Sequence, residues 1–315
     1  MIMKPKIELC LNKKKKFMKK TIVVLGATGK VGGKIADLLL KEGHHVKVIA
    51  RSEDLEKRFG HTGAELIPGD ITDADLLTAA FNGADSAFIL LPPNFTAPNY
   101  RAFQREVGDA AIEAIKRSGI PYVVNLSSAG AQLHEGNGLI AGLAEQEVKL
   151  NQLKDVNIMH LRSAYFLDNA LLNINLIKNS GINGTTADPD HPIPMVATSD
   201  VAAVAAKALA NQDFDGKVVR PVLGDRNYSF SEITGILGRS IGKPDLQLVE
   251  FPASQAKAGM ISQGISENVA EDIVNMETSL KKGIMNYQQR TTENSSPITA
   301  EVFAKEVFAP AYHAQ

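Results

Sequence analysis

Three glycines at a spacing of three stand directly after a β-branched run: Thr21-Ile22-Val23-Val24-Leu25 leads into Gly26-Ala27-Thr28-Gly29-Lys30-Val31-Gly32. A glycine at the end of a strand permits a tight turn. A second lets the backbone approach a diphosphate, and a third lets the following helix pack closely on the strand. The start of that helix offers N–H groups without helical partners and the positive end of the helix dipole. The chemistry this allows is the holding of a nucleotide diphosphate by Gly26, Thr28, Gly29, Lys30, Val31 and Gly32. The bland alternative is a tight turn with no ligand. A glycine triplet alone is weak evidence; between a strand and an amphipathic helix, in an alternating chain, it is specific.

The elements that must position this turn follow the same alternation. Strands are expected at 21–25, 46–50, 64–67, 85–91, 121–126 and 156–161. Helices are expected at 30–42, from an Asp73 cap through Ala80, at 99–118 (ended by Gly119) and at 139–153. Such a rhythm predicts an α/β fold, a doubly wound parallel sheet with helices on both faces and right-handed crossovers. After Arg162 the rhythm changes. Residues 167–178 read as helical and 181–194 as loop. Ser199 and Asp200 read as the cap of a helix at 201–210, 217–221 as a return to the sheet, and 246–251 as a short strand. The expected organisation is a leader at 1–19, a nucleotide-binding core at 20–162, and a smaller substrate or lid region at 163–315. Residues 199–223 of that region are expected to pack back on the core.

The second strand ends Ile49-Ala50-Arg51-Ser52. A site selective for NAD places an acid here to hold the ribose hydroxyls, whereas a site for NADP places an arginine against the 2′-phosphate. Arg51, joined by Lys30, therefore favours NADP(H) and leaves NAD(H) admitted; Glu53 and Asp54 temper the preference. The alternative for Arg51 is a solvated surface cation.

Taken in order and spacing, five segments resemble the short-chain dehydrogenase/reductase superfamily, in particular its atypical NmrA-like branch. They are 26–32, Pro68-Gly69-Asp70, Leu90-Leu91-Pro92-Pro93, Leu126-Ser127-Ser128-Ala129-Gly130-Ala131, and Leu161-Arg162-Ser163-Ala164-Tyr165-Phe166-Leu167-Asp168-Asn169. The resemblance runs from about residue 20 to 210 and more faintly to 312. It implies a Rossmann fold, places Asp70 beside an adenine ring, and passes the cofactor along Leu91 and Pro92. Turn or cap formation is the alternative for Asp70, and a structural role is the alternative for the prolines. Ser127 and Ser128, after the fifth strand, are placed to hydrogen-bond a substrate carbonyl, and Tyr165, Phe166 and Asn169, after the sixth, to line the expected cleft. Capping the strand end or binding water is the alternative for the serines, and core packing, the commoner role of an aromatic, is the alternative for Phe166.

Most members of that superfamily use a Tyr as proton donor with a Lys four residues on. The residues four beyond Tyr100, Tyr122, Tyr165, Tyr228 and Tyr287 are Gln104, Leu126, Asn169, Glu232 and Thr291, and Tyr312 stands too near the end. Before Glu147, where the motif would fall, stand Leu139 and Leu143. The NmrA-like branch also lacks the pair, and often has a His three residues before that Glu; here the position is Ala144. General acid help is worth about 10²–10⁴-fold, so alcohol dehydrogenase chemistry is disfavoured. Epimerase and dehydratase chemistry fall with the same tyrosine. Hydride transfer to an acceptor that stabilises its own anion, such as a quinone, asks less of the protein. The expected function is therefore an NAD(P)H-dependent oxidoreductase acting on a quinone-like or other electron-poor small molecule. The alternative is a non-catalytic, NADP(H)-binding redox sensor with a protein partner.

Composition narrows the remaining classes. The chain has 315 residues, 44% hydrophobic and 22% charged, the proportions of a globular protein. Residues 1–20 hold eight lysines and one glutamate, a charge of +7; the whole chain carries −1, so the remainder carries −8. An acidic body lacks the footprint of a nucleic-acid binder. The lysine run reads as a solvated, disordered leader rather than a basic arm, with Met18 a natural start for the fold. It lacks the apolar stretch of a signal peptide, and no apolar run reaches the ~20 residues of a membrane span. Cys10 is the single cysteine. A cytoplasmic location is expected, with a homodimer left open. The scattered histidines show no metal-ligand spacing, and no nucleophile elbow is present.

Overall fold

The computed structural model describes residues 18–133, 135–285 and 288–314; the lysine-rich leader lies outside them up to Phe17. The strands in chain order are β1 (Thr21–Leu25), β2 (His45–Ala50), β3 (Glu65–Pro68), β4 (Ser86–Ile89), β5 (Tyr122–Ser128), β6 (Asn157–Ser163), β7 (Tyr165–Phe166), β8 (Ile182–Thr185), β9 (Ile193–Val196), β10 (Lys217–Val222), β11 (Asn227–Tyr228) and β12 (Gln247–Glu250). The principal helices are α1 (Gly32–Lys41), α2 (Ser52–Phe59), α3 (Ala74–Phe81), α4 (Tyr100–Ser118), α5 (Ala141–Asn151), α6 (Ile174–Ser180), α7 (Thr198–Asn211), α8 (Phe230–Ser240), α9 (Ala253–Ser262) and α10 (Glu267–Ser279).

Seven strands form one parallel sheet in the order β10-β6-β5-β4-β1-β2-β3. This is the doubly wound arrangement with one strand added at the β6 edge. Side chains alternate across it. Ile22 and Val24 face one core with Ile35 and Leu39 of α1 and Val201 and Ala205 of α7. Val23 and Leu25 face a second core with Leu77 and Phe81 of α3 and Ile112 and Ile115 of α4. The strand order reverses between β1 and β4, which opens a crevice at their carboxyl ends.

The ends of the helices follow local chemistry. Asp73 caps α3 as expected: its Oδ1 accepts the N–H groups of Asp75 at 2.9 Å and Leu76 at 3.1 Å. Asn99 caps α4 through Ala102 N–H at 2.9 Å, and Gly119 ends it at φ 65°. Two expectations need correction. Residues 181–194 are not all loop: β8 pairs with β12, and β9 sits between β7 and β11. Nor do Ser199 and Asp200 cap α7, which begins at Thr198. The carboxylate of distant Asp168 takes the Thr198 N–H at 2.9 Å instead. Asp200, inside the first turn, accepts the Ile298 N–H at 3.1 Å and so holds the C-terminal segment.

The second half builds its own core from Leu167, Ile177, Met195, Tyr228, Leu237, Phe303 and Phe308, which also covers Ala129 and Ile140 of the first half. Its α7 and β10 belong to the layers of the large sheet. Among the described residues no helix is long and apolar enough to cross a membrane.

Candidate functional site

The glycine turn sits at the mouth of the crevice, and Gly26 and Gly32 each have a measurable reason to be there. Gly26 has φ 63°, and a Cβ on it would come 2.8 Å from Leu90 Cδ2, just past β4. The turn closes through Gly29 N–H to the Gly26 carbonyl at 2.9 Å. A Cβ on Gly32 would lie 2.4 Å from the Gly26 carbonyl oxygen and 2.8 Å from that of Leu25. Only a glycine lets α1 seat this closely on the end of β1. Gly33 is another such position, 2.7 Å from the Ala27 oxygen, which the triplet spacing did not mark. Thr28, Gly29 and Lys30 face outward, while the Val31 side chain is 6% exposed and belongs to the core. Val31 thus has only its backbone to offer a ligand. The turn presents a bare, outward backbone at a helix N-terminus, a cradle that fits a diphosphate.

Arg51 stands exposed at the end of β2, as the N-cap of α2. Sequence reasoning passed over α2, and with it Arg58. That arginine pairs with Asp37 of α1, stacks 5.0 Å over Phe59, and lies beside Gly33. The signal was present: Leu55 and Phe59 are an i,i+4 apolar pair, both buried, with acids in the first turn and cations in the last. Lys30 does not turn toward Arg51. Its Nζ donates to the Asp168 carbonyl at 3.2 Å.

Asp70 is exposed after β3. Its Oδ1 accepts the Thr72 N–H at 3.0 Å and hydroxyl at 2.9 Å, the geometry of a turn-forming aspartate. Leu91 and Pro92 are half-buried past β4, with Leu91 over Gly108 of α4. The segment that follows is fastened to α10: Ser266 N–H donates to the Phe95 carbonyl at 2.9 Å and its hydroxyl to the Ala97 carbonyl at 2.6 Å.

Ser127 and Ser128 end β5 opposite the end of β6. Ser127 is 2% exposed, and its hydroxyl donates to Glu147 Oε1. Arg162 grips the same carboxylate with Nε at 3.0 Å and Nη2 at 2.6 Å. This buried triad fastens α5 to β5 and β6, so the Ser127 hydroxyl is already engaged. Ser128, half-buried, donates to the Ala129 carbonyl at 2.8 Å. Beneath them His160 is buried between Asn125 and Asn151. Burial outweighs the charge of Glu147 and lowers its pKa to about 4, so it is a neutral core group at pH 7.

Tyr165, Phe166 and Asn169 lie together just past β6. Tyr165 meets Phe230 edge to face at 5.5 Å. Burial and then the charge of Glu277 raise its hydroxyl pKa, against a hydrogen bond with Asn169. Asp168 is buried among them and organises the region. Besides Thr198 N–H it accepts the Thr198 hydroxyl at 2.7 Å, and Lys34 of α1 stands 3.8 Å away. The structure therefore joins the glycine turn and the segment of Asn169 through Lys30, Lys34 and Asp168.

Comparison with known proteins agrees with this geometry. The sequence profile of the NmrA-like family matches residues 18–300. The Bacillus subtilis protein named uncharacterized oxidoreductase YesF is 24% identical over 284 residues, 89% of this chain and 90% of that protein. The NADPH-dependent quinone oxidoreductase QOR2 of Escherichia coli, solved with NADPH, superposes with a TM-score of 0.75 at 20% identity, covering 91% of this chain and 99% of that one. The Citrobacter sp. triphenylmethane reductase solved with NADP(H) gives a TM-score of 0.75 at 20% identity, covering 89% and 98%. From its glycine turn, its strand order and this match over nearly the whole length, the chain belongs to the NmrA-like family, on the Rossmann-type fold of NAD(P)-binding reductases.

Proposed function

We propose that this protein is an NADPH-dependent oxidoreductase that delivers a hydride to a quinone-like or other electron-poor small molecule. The observation that carries the reading is the outward turn at Thr28–Lys30, backed by a Gly32 whose α-hydrogen leaves no room for a methyl group. The backbone of Gly26 and of residues 28–32 would hold the diphosphate, and Arg51 the 2′-phosphate. Asp70, Leu91 and Pro92 would line the path of the dinucleotide. When bound, the nicotinamide supplies the hydride. This chain's own part is to orient the acceptor between Ser128 and the group Tyr165, Phe166 and Asn169, and to exclude water with the second half. A quinone suits a site without a Tyr/Lys pair because its reduced anion is stabilised by its own ring.

The test is NADPH oxidation, followed by its absorbance, against a panel of quinones. Tight NADPH binding with no turnover across the panel overturns the enzymatic reading. It would leave the redox sensor, which draws on the missing pair. Equal affinity for NADP and NADPH without a co-purifying partner counts against that sensor.

A further inference from the structure

Reduction of a simple carbonyl ends with a proton on oxygen as well as a hydride on carbon, and the sequence lacks the usual donor. One carboxyl group outside the sequence-based site stands near enough to Tyr165, just past β6, for its charge to act on that hydroxyl. Glu277 occupies the last turn of α10. That helix packs backbone against backbone on the turn before α5: a Cβ on Gly138 would come 2.2 Å from the Asp272 oxygen and 2.7 Å from Met276 N. The loop after β5 is tied to the segment beyond α10, with Gln132 Nε2 donating to the Ile284 carbonyl at 2.9 Å. Met276 and Tyr165 border the same apolar cluster as Ala129, the residue after Ser128.

Thr186, just past β8, seats the carboxyl: its N–H donates to Glu277 Oε2 at 3.1 Å, and its hydroxyl bonds the same oxygen. A backbone N–H can only donate, so Oε2 is the acceptor oxygen, and a proton on this carboxyl group would sit on Oε1. Among the described residues no lysine, arginine or histidine pairs with Glu277. Burial raises its pKa, against the two Thr186 bonds. Tyr165 is the titratable group that faces it from β7. On the other faces of α10, Glu267 and Glu271 pair with Lys257 of α9, and Asp272 faces Arg101 of α4.

We propose that Glu277 is the proton source of this site, standing in for the absent Tyr/Lys pair. The proposal rests on the reading of the chain as a dinucleotide-dependent reductase and widens its acceptors. The carbonyl carbon of the acceptor takes the hydride, as a C–H bond of the dihydronicotinamide breaks with both its electrons. The π pair of the C=O bond moves to oxygen, and the Oε1 proton of Glu277 passes to that oxygen. The products are an alcohol, the oxidised nicotinamide, and a carboxylate that regains its proton from water. Acceptors whose alkoxide has no conjugative stabilisation come within reach.

Wild type and Glu277→Gln are compared on menadione and on a nitrobenzaldehyde. The expected result is a loss of about 10²–10⁴-fold in kcat on the aldehyde, with menadione turnover retained. The wild-type aldehyde rate falls as pH rises through the titration of the carboxyl group; the residual rate of the variant does not. Thr186→Val removes a donor that favours the ionised form, so that falling limb moves to higher pH. This variant carries the test where Glu277→Gln does not fold. Independently of turnover, infrared titration of the unliganded protein should show a protonated carboxyl persisting above the ordinary carboxylate range and missing from Glu277→Gln. Wild-type aldehyde rates in Glu277→Gln overturn the proposal, as does a wild type that reduces menadione but no aldehyde, or a missing infrared band. A wild type that reduces neither acceptor overturns the reductase reading, and this proposal with it.

Discussion

Two substitutions one helical turn apart separate a ligand cradle from a packing turn. At Gly29 an added Cβ meets only the Gly26 oxygen, at 3.2 Å, and the residue faces outward. Gly29→Ala therefore asks for a shift of a few tenths of an ångström. The same change restricts the unfolded chain, which is worth about 0.4–1 kcal/mol in the opposite direction. Its net effect on stability is close to zero, while its methyl group stands where a diphosphate must approach the backbone. At Gly32 the added Cβ meets three backbone atoms, at 2.4, 2.7 and 2.8 Å. Backbone cannot step aside like a side chain, so Gly32→Ala costs about 1–3 kcal/mol in overpacking. At roughly 2–4 °C per kcal/mol for domains approaching this size, the loss of melting temperature is several degrees. Calorimetric titration with NADPH and thermal melting of the unliganded protein read the two effects. Gly29→Ala should keep its melting temperature and lose at least about tenfold in affinity, or 1.4 kcal/mol. Gly32→Ala should lose both. A Gly29→Ala protein that binds NADPH like wild type refutes the reasoning, because its outward backbone would then face no ligand.

Other expectations follow from the same geometry. Arg51→Ala removes a charge-assisted contact worth about 1.5–3 kcal/mol, so NADPH should weaken roughly 10–100-fold and NADH far less. Equal losses in calorimetry would remove the 2′-phosphate argument. Glu147→Ala takes the carboxylate from Arg162 and Ser127, and should cost about 3–5 kcal/mol in urea unfolding; a loss below 1 kcal/mol would show the triad to be idle. His160, lowered from 6.5 to about 4 by burial, contributes stability that is fully present above its unfolded pKa. That stability, about 3 kcal/mol, is lost as pH falls from 6.5 through 4. His160→Gln should flatten the loss in that window, and an unchanged slope in denaturant titrations at stepped pH would contradict it.

The strands that carry the glycine turn were legible because their signals are local. Ile22, Val23, Val24 and Leu25 are buried on both faces, and such a run needs no distant partner to be read. Asp73, Asn99 and Gly119 likewise act within four residues of themselves. Apart from α2, whose signal was local, what sequence reasoning missed is decided across long separations. Ile182-Asn183-Gly184-Thr185 has little strand character and becomes β8 only because Gln247–Glu250 pairs with it. Ser127 looked free for chemistry because its partner, Glu147, lies twenty residues on and inside a helix. Asp168 read as part of a motif, whereas its task is to cap a helix thirty residues away. Glu277 gave no signal at all: on α10 it is one acid among several, and Thr186 reaches it from the other end of the second half.

Lys30 has a single ammonium group and stands between two tenants. Its Nζ donates to the Asp168 carbonyl, next to Asn169. A phosphate seated in the glycine turn would compete for it. Any change this makes in the posture of Asn169 alters affinity for the acceptor, and reciprocity requires the acceptor to alter affinity for the phosphate by the same factor. The coupling between the two ligands would then run through one side chain, and shortening it should uncouple them.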